Sequence, residues 1–200
     1  RSVETDFAVD STGFTACRFV RWYDVKYNRF TSEQQWVKAH LCGGVKTNVV
    51  TAVEIHEKNT GDALVLPSLV ESTAKNFTMA EVSADKGYTG KTCHGAIAKA
   101  GAVPYIAFRA NATGDVGGLY GKMFHYFKYQ QDAFLAHYHK RSNVESTVMM
   151  IKTKFGDAVR SKTEIAARNE VLCKVLCHNI CCLISAMHEL GIEPVFGLGN

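Results

Sequence analysis

Three carboxylates and a basic stripe are the residues best suited to chemistry in this chain. Asp10 follows the short apolar run Phe7-Ala8-Val9, and Asp85 follows a run ending at Ala84. Both positions read as the point where a strand delivers an acid to its C-terminal end. Each Asp taken singly also fits ordinary turn chemistry. Glu145 lies in a stretch with helical character, and at about 100° per residue Tyr138 falls at about +20° from it, Arg141 at about −40° and Lys152 at about −20°. All four side chains then share one face. Val144, Val148, Ile151 and Phe155 cluster on a neighbouring apolar face that would dock the helix on a core. A carboxylate between two cations and a phenol is either an i,i+4 salt-bridge set or part of a site. If Asp10, Asp85 and Glu145 converge, their mutual repulsion calls for a divalent cation, and hard oxygen ligands suit Mg²⁺ or Mn²⁺. Two such ions held by carboxylates are the apparatus of phosphoryl transfer.

The elements that would carry these residues follow from hydrophobic rhythm. Trp36 to Val45 and Val49 to His56 are strand-like, separated by Lys46-Thr47-Asn48, and predict a hairpin. Arg18 to Gln35 reads as a long loop or irregular hairpin. Asn59-Thr60-Gly61-Asp62 offers turn and capping residues before a helix through Ala74, with Pro67 expected in its first turn. Phe77 to Ala84 predicts a strand, Thr92 to Ala100 a helix and Val103 to Phe108 another strand. Arg109 to Gly118 is loop-like. No proline interrupts Tyr120 to Phe155, which reads as helical. From Glu164 to Leu190 apolar residues recur every three or four positions, so a long final helix follows, ending at Gly191. Early hairpin strands followed by β-α-β predict an α/β or α+β layered domain with a mixed sheet.

Composition narrows the class. With 200 residues, 46% hydrophobic, 21% charged and only 3 Pro, the chain lies far from disordered or collagen-like sequence and suits one large domain. Its seven cysteines are odd in number and scattered, which reads as reduced thiols in a cytoplasm and not as a disulfide framework. Cys173, Cys177, Cys181 and Cys182 with His178 lack the short C-x-x-C chelating loop, so packing on the last helix is the plainer reading than zinc. The most apolar stretch, Val171 to Met187, is broken by Lys174, His178 and Asn179, and no membrane partner is expected. Net charge is a mild +4, but Tyr138 to Arg168 holds seven Lys or Arg against three acids, an excess that attracts phosphates or simply solvates a helix face. His137 and His139 flank Tyr138 and point away from it. Trp22 and Trp36 fit core positions better than base stacking.

The strings FAVDSTGF at 7–14, ADKGY at 84–88 and YHKRSNVESTVMMIK at 138–152 resemble the three catalytic blocks of DDE-type prokaryotic insertion-sequence transposases. The last block matches the Y-R-E-K signature of that group through Tyr138, Arg141, Glu145 and Lys152. GVKTNVVTAVEI (44–55) and RNEVLCKVLCHNI (168–180) extend the likeness over nearly the whole chain. The resemblance implies a ribonuclease-H-like fold: a mixed sheet flanked by helices, with a long C-terminal helix. It implies one catalytic domain over residues 1–200, a fragment lacking the N-terminal DNA-binding region, since the chain starts at Arg1. It further implies that Asp10, Asp85 and Glu145 are catalytic and hold two Mg²⁺ ions, with Mn²⁺ able to substitute. Tyr138, Arg141 and Lys152 would contact the DNA backbone of the transposon end. The expected activity is cleavage of double-stranded DNA at transposon ends and strand transfer into target DNA, by a homodimer in the synaptic complex. The expected location is the prokaryotic cytoplasm, at the nucleoid when bound. The alternative is a truncated or domesticated derivative that binds DNA without transposing it.

Overall fold

A computed structural model describes residues 3–16, 36–57, 59–115 and 117–191. The Arg18–Gln35 loop, Trp22, Cys17 and the segment around Gly197 lie outside these residues. Five strands form one mixed sheet in the order β3-β2-β1-β4-β5: β1 Asp6–Thr15, β2 Trp36–Gly44, β3 Val50–Glu57, β4 Glu81–Ala84 and β5 Val103–Ile106. β1, β2 and β3 form the antiparallel meander; β4 and β5 join β1 in parallel. The hairpin turn lies where expected, with Asn48 at φ 55°, a conformation that Asn tolerates better than most residues.

Alternation along β1 divides the core. Phe7 and Val9 face α1 (Asp62–Ala74) and α2 (Lys91–Lys99), joining Leu66, Leu69, Val82 and Ile97. Phe14 faces the opposite layer with Leu41, Ile151, Val171 and Val175, under α5 (Ser142–Phe155) and α6 (Glu164–Leu190). A third cluster, centred on Tyr105, Phe108, Met123 and Phe134, joins β5 to α3 (Gly118–Tyr129) and α4 (Gln131–Tyr138).

Several boundaries correct the sequence reading. β1 does not end at Asp10; it continues to Thr15 because its second half pairs with β2 alone, down to Thr15 opposite Trp36. Gly13 is needed there: a Cβ at that position would lie 2.7 Å from the Trp36 ring. The strand expected over Phe77–Ala84 shortens to Glu81–Ala84, since only those residues pair with β1 and β5. Pro67 sits in the second turn of α1, not the first, and cannot bond to the Ala63 carbonyl. The Cys93 thiol donates to that carbonyl instead, at 3.3 Å. The proline-free run from Tyr120 to Phe155 is not one helix. It breaks after Tyr129 and again at a 3₁₀ turn, His139–Arg141.

By length and composition α6 is apolar enough to cross a membrane. The polar residues that interrupt it dock it on the sheet. Lys174 Nζ donates to the carbonyls of Phe155, Gly156 and Ala158 at 3.0, 3.0 and 2.6 Å, where α5 ends. A cation at a helix C-terminus meets both the free carbonyls and the dipole. The Asn179 amide both donates to and accepts from the backbone of Val50, at 2.8 Å each way, as a further strand would. Edge strand β3 is thereby covered. His178 Nε2 lies 2.9 Å from the Asn48 carbonyl.

Candidate active site

Strand register decides where the two aspartates meet. The last rung between β1 and β4 pairs Val9 with Ala84, so Asp10 and Asp85 are the next residues along two adjacent parallel strands. Backbones at that spacing are about 4.8 Å apart. Asp85 keeps extended backbone angles, φ −67° and ψ 161°, and so continues the alternation of β4. Val9 and Ala84 both face the α1 and α2 layer, which turns Asp10 and Asp85 to the other side, toward α5. The expectation that Asp10 terminates a strand is corrected, yet its placement holds, because β4 ends beside it.

Glu145 lies in the first turn of α5, on the same side of the sheet. Arg141 links the two regions: Nη2 bonds Glu145 Oε1 at 2.7 Å and Nη1 stands 3.9 Å from Asp10 Oδ2. Burial is the largest influence on the Asp10 carboxyl and raises its pKa; the Ser11 N–H and Arg141 oppose it, while Glu145 and Asp85 add to it, leaving the group above its ordinary value. The Arg141 guanidinium loses some basicity to burial, but Tyr138, Glu145, Asp10 and Asp85 more than restore it, and its pKa rises. Asp10 thus lies in a half-buried acidic pocket whose charge asks for a cation. Three hard oxygen donors of this kind fit Mg²⁺ or Mn²⁺. The side chains do not yet surround a single point: among the described residues no three His, Cys, Asp or Glu are close enough to hold a metal. Arg141 supplies the positive charge between Asp10 and Glu145.

The other expected residues divide. Tyr138 ends α4 and is separated from Glu145 by the 3₁₀ turn, so the single helical wheel does not apply to it; its ring nonetheless lies under Arg141, with Cζ 5.8 Å from the centroid. Lys152 does share the helix of Glu145. It stands two turns further on, about 10 Å along the axis, and its Nζ lies 5.4 Å from the Phe14 ring centroid. Arg141 over Asp10 and Lys152 over Phe14 show that α5 runs beside β1 in the same sense.

Sequence reasoning missed the clamp that sets this geometry. Lys140, counted only as part of a basic segment, reaches Asp6 Oδ2 at 2.7 Å on β1 and Glu81 Oε1 at 2.6 Å on β4. His137, set aside from the sequence, places Nδ1 2.6 Å from Glu81 Oε2 and stacks on Tyr105 at 4.3 Å between centroids. Acids at 6 and 81, each four positions before a candidate metal ligand, were the signal available. Tyr88, the last residue of the ADKGY string, is also buried near the site. Burial first, then the charges of Asp62 and Asp10, raise its phenol pKa, and its hydroxyl lies 3.2 Å from His40 Nδ1.

Residues 1–180 match the profile of a family described as Transposase DDE domain. The chain belongs to that family. No curated protein matches it. Among solved structures the transposase domain is similar to a piggyBac transposase seen by cryo-EM in a synaptic complex with hairpin DNA, at 10% identity and a TM-score of 0.53. That likeness covers 96% of this chain and 49% of the neighbour, so the domain spans about half of that protein. The shared feature is the fold, the mixed five-stranded sheet with flanking helices and a long C-terminal helix. The family is one of polynucleotidyl transferases.

Proposed function

We propose that this transposase domain cleaves double-stranded DNA at transposon ends and joins the freed 3′-hydroxyl to target DNA. Asp10, Asp85 and Glu145 would hold two Mg²⁺ ions, with Mn²⁺ as a substitute. When bound, such ions activate a water or 3′-hydroxyl and stabilise the leaving oxygen of an in-line displacement at phosphorus. The observation that carries the reading is the register placing Asp10 beside Asp85, with Arg141 spanning Asp10 and Glu145.

The chain's own residues would orient the DNA. Arg141 offers a guanidinium fork suited to a phosphate once Glu145 turns to a metal. The Tyr138 ring supports that guanidinium, and Lys152 marks a second phosphate position further along α5. Such contacts fix register without reading bases. A homodimer would bring two ends together at the nucleoid.

The test pairs metal binding with cleavage. Asp85→Asn is expected to lose Mn²⁺ binding and Mg²⁺-dependent cutting of duplexes carrying the element's terminal inverted repeats, with circular dichroism unchanged. Unaltered cutting would refute the assignment. The second reading, a derivative that binds DNA without transposing it, draws on the Arg141–Glu145 pairing and predicts binding by the parent chain with no cutting at all.

A further inference from the structure

The last helix is apolar on two faces and, among the described residues, docks only one of them. Ala167, Val171, Lys174, Val175 and His178 are its buried residues. Leu172, Leu176, Ile180, Leu183 and Leu190 form a stripe about 80° wide on a helical projection, centred about 150° from that docked face. Their exposures are high: 39, 60, 47, 59 and 71%. The exposed positions from Asn169 to Ser185 are Asn, Leu, Cys, Ile and Ser, and none carries a formal charge. A helix hydrophobic all round is ordinarily a buried one.

We infer that this outer stripe of α6 is where two copies of the chain pair. The stripe is narrow and repeats about once per turn over most of a 27-residue helix, the form of a helix–helix seam. A two-fold pairing matches such a stripe to itself, and an uncharged face sets no like charges against each other. The area suffices. With Ile184 on its flank, itself 59% exposed, these side chains present on the order of 500 Å² per copy, so full mutual coverage would bury up to about 1,000 Å² of apolar surface before any rim contact, the level a specific interface must clear. A patch of about 500 Å² lies toward the upper end of what a typical monomer leaves exposed, where such patches are often functional. The inference says where the copies of the proposed dimer meet, and its test reads mass instead of cleavage, so the two can fail separately.

Sedimentation equilibrium of the 200-residue chain between about 1 and 100 µM should give twice the 22.1 kDa chain mass. Leu176→Lys with Leu183→Lys should return it to the single-chain mass with an unchanged far-UV circular dichroism spectrum at 25 °C. Leu176→Ala, which keeps a strong helix former on an exposed site, should raise the dimer dissociation constant at least tenfold. Leu64→Lys, at a still more exposed leucine on α1, should leave the mass alone. A parent chain that stays single at 100 µM, or a doubly substituted chain or Leu176→Ala that assembles as the parent does, overturns the assignment.

Discussion

Side chains at this site work against stability before they work for chemistry. Asp10 ionises less readily than an ordinary carboxyl because it is buried and faces Glu145 and Asp85. Asp10→Asn keeps its shape and removes that conflict. The expected result is loss of Mg²⁺-dependent cutting together with a melting temperature no lower than the parent's, measured by calorimetry. His40 behaves differently. It is fully buried, and burial, then Lys38, lowers its pKa from 6.5 to about 4. The unfolded chain therefore takes up this proton first as pH falls, and stability drops from about pH 6.5 to about pH 4, by on the order of 2–3 kcal/mol. Above that window the contribution is fully present. Urea titrations at stepped pH should show this limb flattened in His40→Asn, and an equal slope in both proteins would disprove the role.

Elements are held by a few polar contacts more than by helix propensity. The 3₁₀ turn His139–Arg141 bears the residue that joins Asp10 to Glu145, and Lys140 ties that turn to β1 and β4 through Asp6 and Glu81. Lys140 is a positioning residue. Lys140→Gln should destabilise the fold by about 1–2 kcal/mol, since it leaves two part-buried acids facing each other with exposure that softens the cost. Cleavage rate should fall while affinity for end DNA stays within about threefold, because Arg141 and Lys152, the proposed phosphate contacts, remain. Equal losses in both would make the clamp merely structural. At the far end of α5, Lys174 gathers three carbonyls and lies over the Phe14 ring at 5.7 Å. The helix carrying Glu145 is therefore pinned at both ends.

Across the molecule, a net charge of +4 is too small to bind DNA by itself, so position matters more than total. Arg141 and Lys152 line one side of the sheet along α5. If Lys152 contacts a phosphate, Lys152→Ala should weaken binding to any duplex about equally and reduce the slope of log affinity against log salt by about 0.9. Fluorescence anisotropy over a series of KCl concentrations measures this, and an unchanged slope would remove Lys152 from the interface.

Local pattern alone determined much of this protein. The hairpin of β2 and β3, the β-α-β unit and the long final helix are readable because periodicity, turn residues and spacing act over a few positions, while Asp10, Asp85, Tyr138, Arg141, Glu145 and Lys152 stand out together through the resemblance of their sequence blocks to a transposase family. Breaks at Tyr129 and at His139–Arg141 escaped that reading, as no proline or glycine marks them and packing of Phe134 and Tyr138 against β5 sets them. Only the tertiary structure decided that β4 stops opposite Val9, that Lys140 spans two strands, and that the polar residues of α6 turn inward while its leucines turn out. Strand register and ion pairing between distant segments depend on which surfaces meet, and a linear sequence holds no record of that meeting until the chain has folded.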